Sequence, residues 1–329
     1  VLLTGGGGFV GRRVLPWLQV WATVITTDVV GDVDRVVDLR EGQALDTLFS
    51  DVVPDVVIHV ASFGMSGGAQ ILDGDIVDAV NVGGTQNVID CCLRHGTKAL
   101  VHVSSYNSVY NGQRIEDGDE ALPLVPADEY VLDAYSRSKA LAEGAVLDTA
   151  DKLAVCILRP AAIYGDGEQR HLPRIIGLLN KGLNVAVGST CDTALCDWVY
   201  VDNLCAALDS AGRQLWERGR SAQSAGRAFF ISDGKPVNNY KFIEALLGEE
   251  PGSVFQLSFP AKPAFAVAVL SSYVLIALAR CGLRLEPFLT PAEVLKVSQT
   301  HYMSVAAAQE ALQYDPLPLA TCIGRTREW

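Results

Sequence analysis

The chain is poor in charge. Only 19% of its 329 residues are Asp, Glu, Lys or Arg, and 26 basic residues face 38 acidic ones, for a formal net charge of −12. Proteins that grip a phosphate backbone do so with Lys and Arg that displace counterions, so nucleic acid is excluded as a main partner. The 8 cysteines include no Cys-x-x-Cys pair, and two of them, Cys91 and Cys92, are neighbours. That pattern excludes a paired metal or redox motif and suits buried, reduced thiols in a reducing compartment. Histidine is scarce too, and His59, His95, His102, His171 and His301 have no ligand spacing, so no metal is expected. Trp17, Trp198 and Trp216 read as packing residues. No internal repeat or low-complexity tract interrupts the chain. It shows no signal-peptide pattern and begins at Val1, without Met, already in a strand pattern, which implies trimmed upstream residues. Apolar material is plentiful at 49%, enough for a substantial core.

The first half alternates short apolar runs with helical stretches. Strands are expected at Val1–Leu3, Thr23–Thr27, Val56–Val60, Leu100–Ser104 and Ala154–Leu158, and helices at Phe9–Gln19, Asp78–Arg94 and Ala134–Ala150. Continuous β-branched runs mark strands covered on both faces. Strand–helix alternation at this spacing predicts an α/β fold, a Rossmann-type, doubly wound parallel sheet. After Pro160, Gly and Pro gather in longer loops, and a smaller mixed lobe over residues 161–329 is expected to return strands to the edge of a sheet built by residues 1–160. Within it, Pro263–Ala279 holds no charged residue. At the short edge of the ~17–25 residues that span a bilayer, this segment reads either as a buried or amphipathic helix or as one that lies in a membrane. Lys262 and Arg280 at its ends suit both.

Residues 4–11 read Thr-Gly-Gly-Gly-Gly-Phe-Val-Gly, with Gly5, Gly8 and Gly11 spaced three apart between a strand and a helix. Glycine permits a tight turn and lets the backbone approach a pyrophosphate, while the following helix presents its amino end to the phosphates. Asp28, at the end of the second strand, is placed to accept hydrogen bonds from the adenosine ribose. No Arg or Lys lies in residues 29–34, which favours NAD over NADP. Asp38 and Leu39 end the next extended stretch, near the expected adenine.

Tyr135 and Lys139 stand four apart in a helix, hence on one face. A free phenol titrates near ~10, too high for a base at neutral pH. A nearby ammonium and a positive nicotinamide ring both favour the phenolate, which could then exchange a proton with a substrate oxygen while hydride moves. A strand-end hydroxyl would steady that oxygen. Ser104 and Ser105 alternate across the strand, with Ser105 preferred and Ser104 second.

Together these strings are similar to the extended short-chain dehydrogenase/reductases, and within them to the 3β-hydroxysteroid dehydrogenase/isomerase group. The likeness runs through TGGGGFVG (4–11), HVAS (59–62), NVGGTQNV (81–88), VSS (103–105), YSRSK (135–139), LRPAAIYG (158–165), DWVYVDN (197–203) and FISDGKPV (230–237). YNSVYNGQ, DGDEALP, GEQRHLPRI and PFLTPAEV resemble the family 42E branch. The resemblance implies that Gly5, Gly8, Phe9, Val10 and Gly11 line a pyrophosphate, that Asp28 holds the ribose, and that Asp38 and Leu39 meet the adenine. It places Val60, Ala61 and Ser62 beside the second ribose, Asn81 as a brace, and Pro160, Ala161 and Ile163 at the nicotinamide. Ser105, Tyr135 and Lys139 would be catalytic. The loop after Ser105 is one residue longer than in many relatives and puts Tyr106 where some sugar-nucleotide members carry the hydroxyl residue.

Three functions follow. The first is an NAD-dependent dehydrogenase of a sterol or steroid-like lipid, associated with a membrane of the endoplasmic reticulum or mitochondrion, or cytoplasmic. The second is a nucleotide-sugar epimerase or dehydratase, which needs a diphosphate clamp that Arg170, Arg174 and Arg227 could supply. The third is a nucleotide-holding subunit of a membrane complex. A homodimer is compatible with each.

Overall fold

The computed structural model describes residues 1–188 and 194–329, so Cys191 lies outside the described residues, as does the side chain of His171. Seven parallel strands form the large sheet. In chain order they are β1 (Leu2–Thr4), β2 (Ile25–Asp28), β3 (Arg35–Val36), β4 (Val56–His59), β5 (Ala99–Val103), β6 (Ala154–Pro160) and β7 (Arg227–Ile231). Their spatial order is β7-β6-β5-β4-β1-β2-β3. This is the doubly wound arrangement expected from the sequence. Its direction of winding reverses between β1 and β4, and in such sheets ligands bind outside the carboxyl ends of the strands at that reversal.

Successive residues of each strand feed opposite cores, as the period of two requires. Leu3, Val56, Ile58, Val101, Cys156 and Leu158 pack with Val14 and Leu18 of α1 (Phe9–Leu18). Leu2, Val57, Leu100, Val155 and Ile157 pack on the other face with Leu45 and Phe49 of α2 (Gly42–Val52) and with Val88 and Cys92 of α3 (Gly84–His95). Every residue of β5 and β6 is buried. That double covering is why these strands read as unbroken apolar runs.

The expected helix Asp78–Arg94 is not uniform. It starts at Gly74, passes through a π turn at Ala79–Gly83, and only then becomes α3. The expected Ala134–Ala150 helix is α4 (Ala134–Leu147), capped by Asp133, whose Oδ1 accepts from Ser136 N at 3.0 Å. Beyond residue 160 come α5 (His171–Leu179), α6 (Val201–Arg218), α7 (Asn239–Leu247), α8 (Ala261–Arg280) and α9 (Pro291–Ser298). α6 lies on the large sheet beside α1, and β7 extends the sheet beyond β6.

The uncharged segment is α8, and it is not a core helix. Only Ala264, Ala268 and Ser272 are buried, a narrow stripe of small residues one turn apart that meets Val294 of α9. The other faces remain apolar and open, with Val267, Leu270 and Tyr273 at 62%, 68% and 58% exposure. The buried-helix expectation therefore fails because one stripe finds a partner and the remainder does not.

Candidate active site

The glycine turn joins β1 to α1 at the carboxyl edge of the sheet. Gly5 takes a left-handed φ of +74°, and its N–H donates to Thr27 O at 2.9 Å. A Cβ on Gly5 would lie 2.6 Å from Ala61 N, and one on Gly11 only 2.1 Å from Gly5 O. These two glycines let the turn pack against the end of β4 and against its own helix. A Cβ on Gly8 would meet nothing nearer than Gly5 O, at 3.2 Å. The space above Gly8, at the amino end of α1, is the cradle that a Cβ would fill, and it fits a pyrophosphate. The Arg12 guanidinium reaches back to Gly7 O at 2.9 Å, beside the same turn. It adds a positive charge that the glycine spacing did not announce.

Asp28 ends β2 where expected. Its Oδ2 accepts from Gly7 N at 3.1 Å and its Oδ1 from Val29 N at 2.7 Å, so the carboxylate is tied to the glycine turn. Asp38 is already engaged by Arg40, which holds its carboxyl below the usual range through paired hydrogen bonds. Leu39 turns its buried side chain against Gly84, and its carbonyl accepts from Asn87 Nδ2 at 2.7 Å.

The end of β4 is held by a relay of hydroxyls. Thr85 Oγ1 donates to Asn81 O at 2.6 Å and so accepts from His59 Nε2 at 2.9 Å, leaving His59 Nδ1 to accept from Thr4 Oγ1 at 2.6 Å. Burial pushes His59 down to about 3 and keeps the ring neutral. Asn81, on the π turn, accepts from Phe63 N at 2.8 Å and donates both to Phe63 O and to Ser138 Oγ, each at 2.9 Å. It clamps the segment after Val60, Ala61 and Ser62 to α4, and Ser62 Oγ donates to it at 3.3 Å.

Tyr135 and Lys139 share the buried face of α4, with Nζ 5.8 Å from the phenol ring centroid. Lys139 Nζ donates to Val103 O at 2.8 Å. Burial lowers Lys139 to about 7, against the pull of Glu143. Burial also raises Tyr135 to about 12, and the groups that oppose the rise are Ser62 and Arg170. Arg170 adds a positive charge that favours the phenolate, beside the Lys139 ammonium on the same helix face as Tyr135. Of the two serines, Ser104 is spent: its Oγ donates to Glu143 Oε2 at 2.5 Å, inside the protein. Ser105 Oγ accepts only from Asn107 N, at 3.2 Å, and keeps its proton to donate. Tyr106 turns away, stacking on His301 and hydrogen-bonding its Nε2 at 3.1 Å. Pro160 and Ala161 leave β6 beside Ile231, and Ile163 runs on in a short strand paired with Trp198–Tyr200.

A diphosphate clamp from three arginines does not form. Arg174 is ion-paired with Glu293 and bonded to Pro287 O. Arg227 opens β7 opposite Cys156, at the amino end of the sheet, and stacks on Phe229. Only Arg170 stands near Tyr135. Among the described residues there is no cluster of His, Cys, Asp and Glu able to hold a metal.

The model of the 3-beta hydroxysteroid dehydrogenase/isomerase family matches residues 2–258. The chain belongs to that family. It is similar to zebrafish (Danio rerio) short-chain dehydrogenase/reductase family 42E member 1, with 38% identity over 96% of this chain and 84% of that protein. The sterol-4-alpha-carboxylate 3-dehydrogenase (decarboxylating) of Saccharomyces cerevisiae is 29% identical over 100% of this chain and 97% of its own. Among solved structures, a dTDP-glucose 4,6-dehydratase variant from Streptomyces venezuelae, with NAD bound, superposes with a TM-score of 0.69. It is 21% identical over 100% of this chain and 95% of its own. That likeness confirms the fold, and the family confirms the resemblance read from the motifs.

Proposed function

We propose that the chain is an NAD-dependent oxidoreductase of a hydroxyl or ketone on a sterol-like lipid. The observation that carries this is the burial of Tyr135 and Lys139 on one helix face, at the sheet edge where the glycine turn opens. Gly8 and the amino end of α1 would hold the pyrophosphate, Asp28 the adenosine ribose, and Lys139 the second ribose. NAD, when bound, supplies the hydride acceptor and a positive ring. The same nucleotide accompanies the solved dehydratase. Tyr135 then takes the proton of the substrate hydroxyl, or returns it to a carbonyl, as charge develops on that oxygen. Ser105 donates to the oxygen and steadies the charge. Lys139, Arg170 and the nicotinamide together offset the cost of a buried phenolate.

The division of labour falls near residue 160, with most nucleotide contacts and Ser105, Tyr135 and Lys139 before it and the remaining substrate contacts after it, α6 and β7 being lent back to the large sheet. The apolar surface of the second lobe supports a lipid substrate and a membrane location. Leu257 and Phe259 before α8, and Leu283, Leu285 and Phe288 after it, extend the exposed apolar face of the helix. Lys262, Arg280 and Arg284 lie at its ends, where headgroup phosphates would sit.

The deciding experiment is turnover by the purified chain with NAD and a 3β-hydroxysterol, monitored as NADH absorbance. Oxidation of the sterol is the expected result. Tight binding of a sugar nucleotide with no sterol turnover would instead identify an epimerase or dehydratase.

A further inference from the structure

Two successive turns of α4 grip the end of β5. Lys139 Nζ takes Val103 O, and one turn later Glu143 takes the hydroxyl of the next residue, Ser104. The other oxygen of Glu143 accepts twice from Arg159 in β6, at 2.9 and 2.6 Å. Glu143 is 0% exposed and Arg159 4%. A buried ion pair is a poor stabiliser, since an apolar pair of similar volume often serves the fold as well. This pair, however, lies where three parts of the site converge. Ser105 follows Ser104, Pro160 follows Arg159, and Tyr135 stands about two turns before Glu143 on the same helix.

We propose that Glu143 is a positioning residue for the Tyr135–Lys139 pair, its carboxylate fixing the rotation and height of α4 against both strand ends and facing the Lys139 ammonium with negative charge. The proposal rests on the oxidoreductase reading above. The titratable groups that interact with Lys139 are His59 from β4, His102 from β5, and Tyr135 and Glu143 on α4, while Arg159 from β6 is held on Glu143. Both histidines are held neutral by burial. Asp133 is occupied by Ser136 and Lys296. Glu143 is the group that opposes the burial of Lys139.

The test follows Lys139 in the full chain by NMR of ¹³C-labelled lysine, its signal assigned with Lys139→Arg. In Glu143→Gln, the Lys139 titration midpoint should fall by about one pH unit or more. The alkaline limb of kcat on a 3β-hydroxysterol should move down by the same amount. Glu143→Asp keeps the charge but shortens the reach. It should leave the midpoint in place and lower kcat by about tenfold or more, with NAD affinity unchanged. An unmoved midpoint in Glu143→Gln, or a wild-type kcat in Glu143→Asp, overturns the proposal. If Glu143→Gln does not fold, Glu143→Asp decides. If the wild-type chain turns over no sterol, the functional reading falls, and the substrate-free midpoint still decides the role of Glu143.

Discussion

The carboxyl edge of the large sheet and the surface formed by residues 257–288 are built on opposite terms. At the sheet edge polar side chains are tied into networks: Thr4, His59, Thr85 and Asn81 form one chain of hydrogen bonds, and Ser104, Glu143 and Arg159 another. Along residues 257–288 large apolar side chains stand uncovered, and only Ala264, Ala268 and Ser272 of α8 are buried. The first region joins strand ends to α4 through buried hydrogen bonds. The second leaves large apolar side chains exposed. Small changes should therefore be costly at the edge, and large ones cheap for the fold on the apolar face.

The sharpest break of that contrast is a single oxygen. Tyr135→Phe should lower kcat on the order of a thousandfold, as loss of a general acid–base does, while NADH fluorescence titration shows unchanged nucleotide affinity. Activity within a factor of a few of wild type would move the proton-transfer role elsewhere. Next is a single methyl group: Gly11→Ala drives a Cβ to within 2.1 Å of Gly5 O. It should cost about 2–3 kcal/mol in chemical denaturation and weaken NAD binding at the same time.

The apolar face supplies the counterweight. Leu270→Asp should leave folding stability within about 0.5 kcal/mol, because a side chain 68% exposed has little to lose. The same change should reduce sedimentation with phosphatidylcholine–phosphatidylserine vesicles roughly tenfold, the transfer free energy of one leucine. Equal vesicle binding by both forms would detach this surface from any lipid role. The smallest effect concerns Asp197, buried away from the edge. Burial raises its carboxyl to about 7, the amide of Met303 and Ser232 opposing. A carboxyl raised on folding holds its proton more tightly in the native state, so it costs stability as pH climbs from about 4 to 7. Asp197→Asn should flatten that decline and gain about 1 kcal/mol at pH 8 relative to wild type. A variant whose urea midpoint falls in parallel with wild type across that range would show that Asp197 stays charged when folded.

What could be seen in the sequence follows from the range of the physics. Gly5, Gly8, Gly11, Asp28, Tyr135 and Lys139 answer to local demands, such as a positive φ, a strand end or a shared helix face, and each demand leaves a spacing. The parallel sheet was legible for a similar reason, since β5 and β6 are covered on both sides and read as unbroken apolar runs. Glu143 and Arg159 left no spacing, because their meeting depends on β6 lying against β5 and on the rotation of α4. The choice between Ser104 and Ser105 was open until Glu143 was seen to occupy one of them. The exposure of α8 was not readable, because composition alone cannot tell a helix packed along one stripe from one packed all round. Asp38 and Leu39 were placed by their position at the end of an extended stretch and by likeness, and the contacts they make with Arg40 and Gly84 left no spacing to read.

The π turn at Ala79–Gly83 is, in mechanical terms, a change of phase. One extra residue in a helix rotates everything after it by about 100° relative to a regular winding. Residues 74–78 and the turn itself meet α4, while α3 meets α2 and also packs Val88 and Cys92 on the sheet. One rod thus addresses two sets of partners that a uniform helix could not reach together. Removing the codon for Val80 would restore a regular helix, swing Asn81 off Phe63 and Ser138, and undo the clamp without altering Asn81, Phe63 or Ser138.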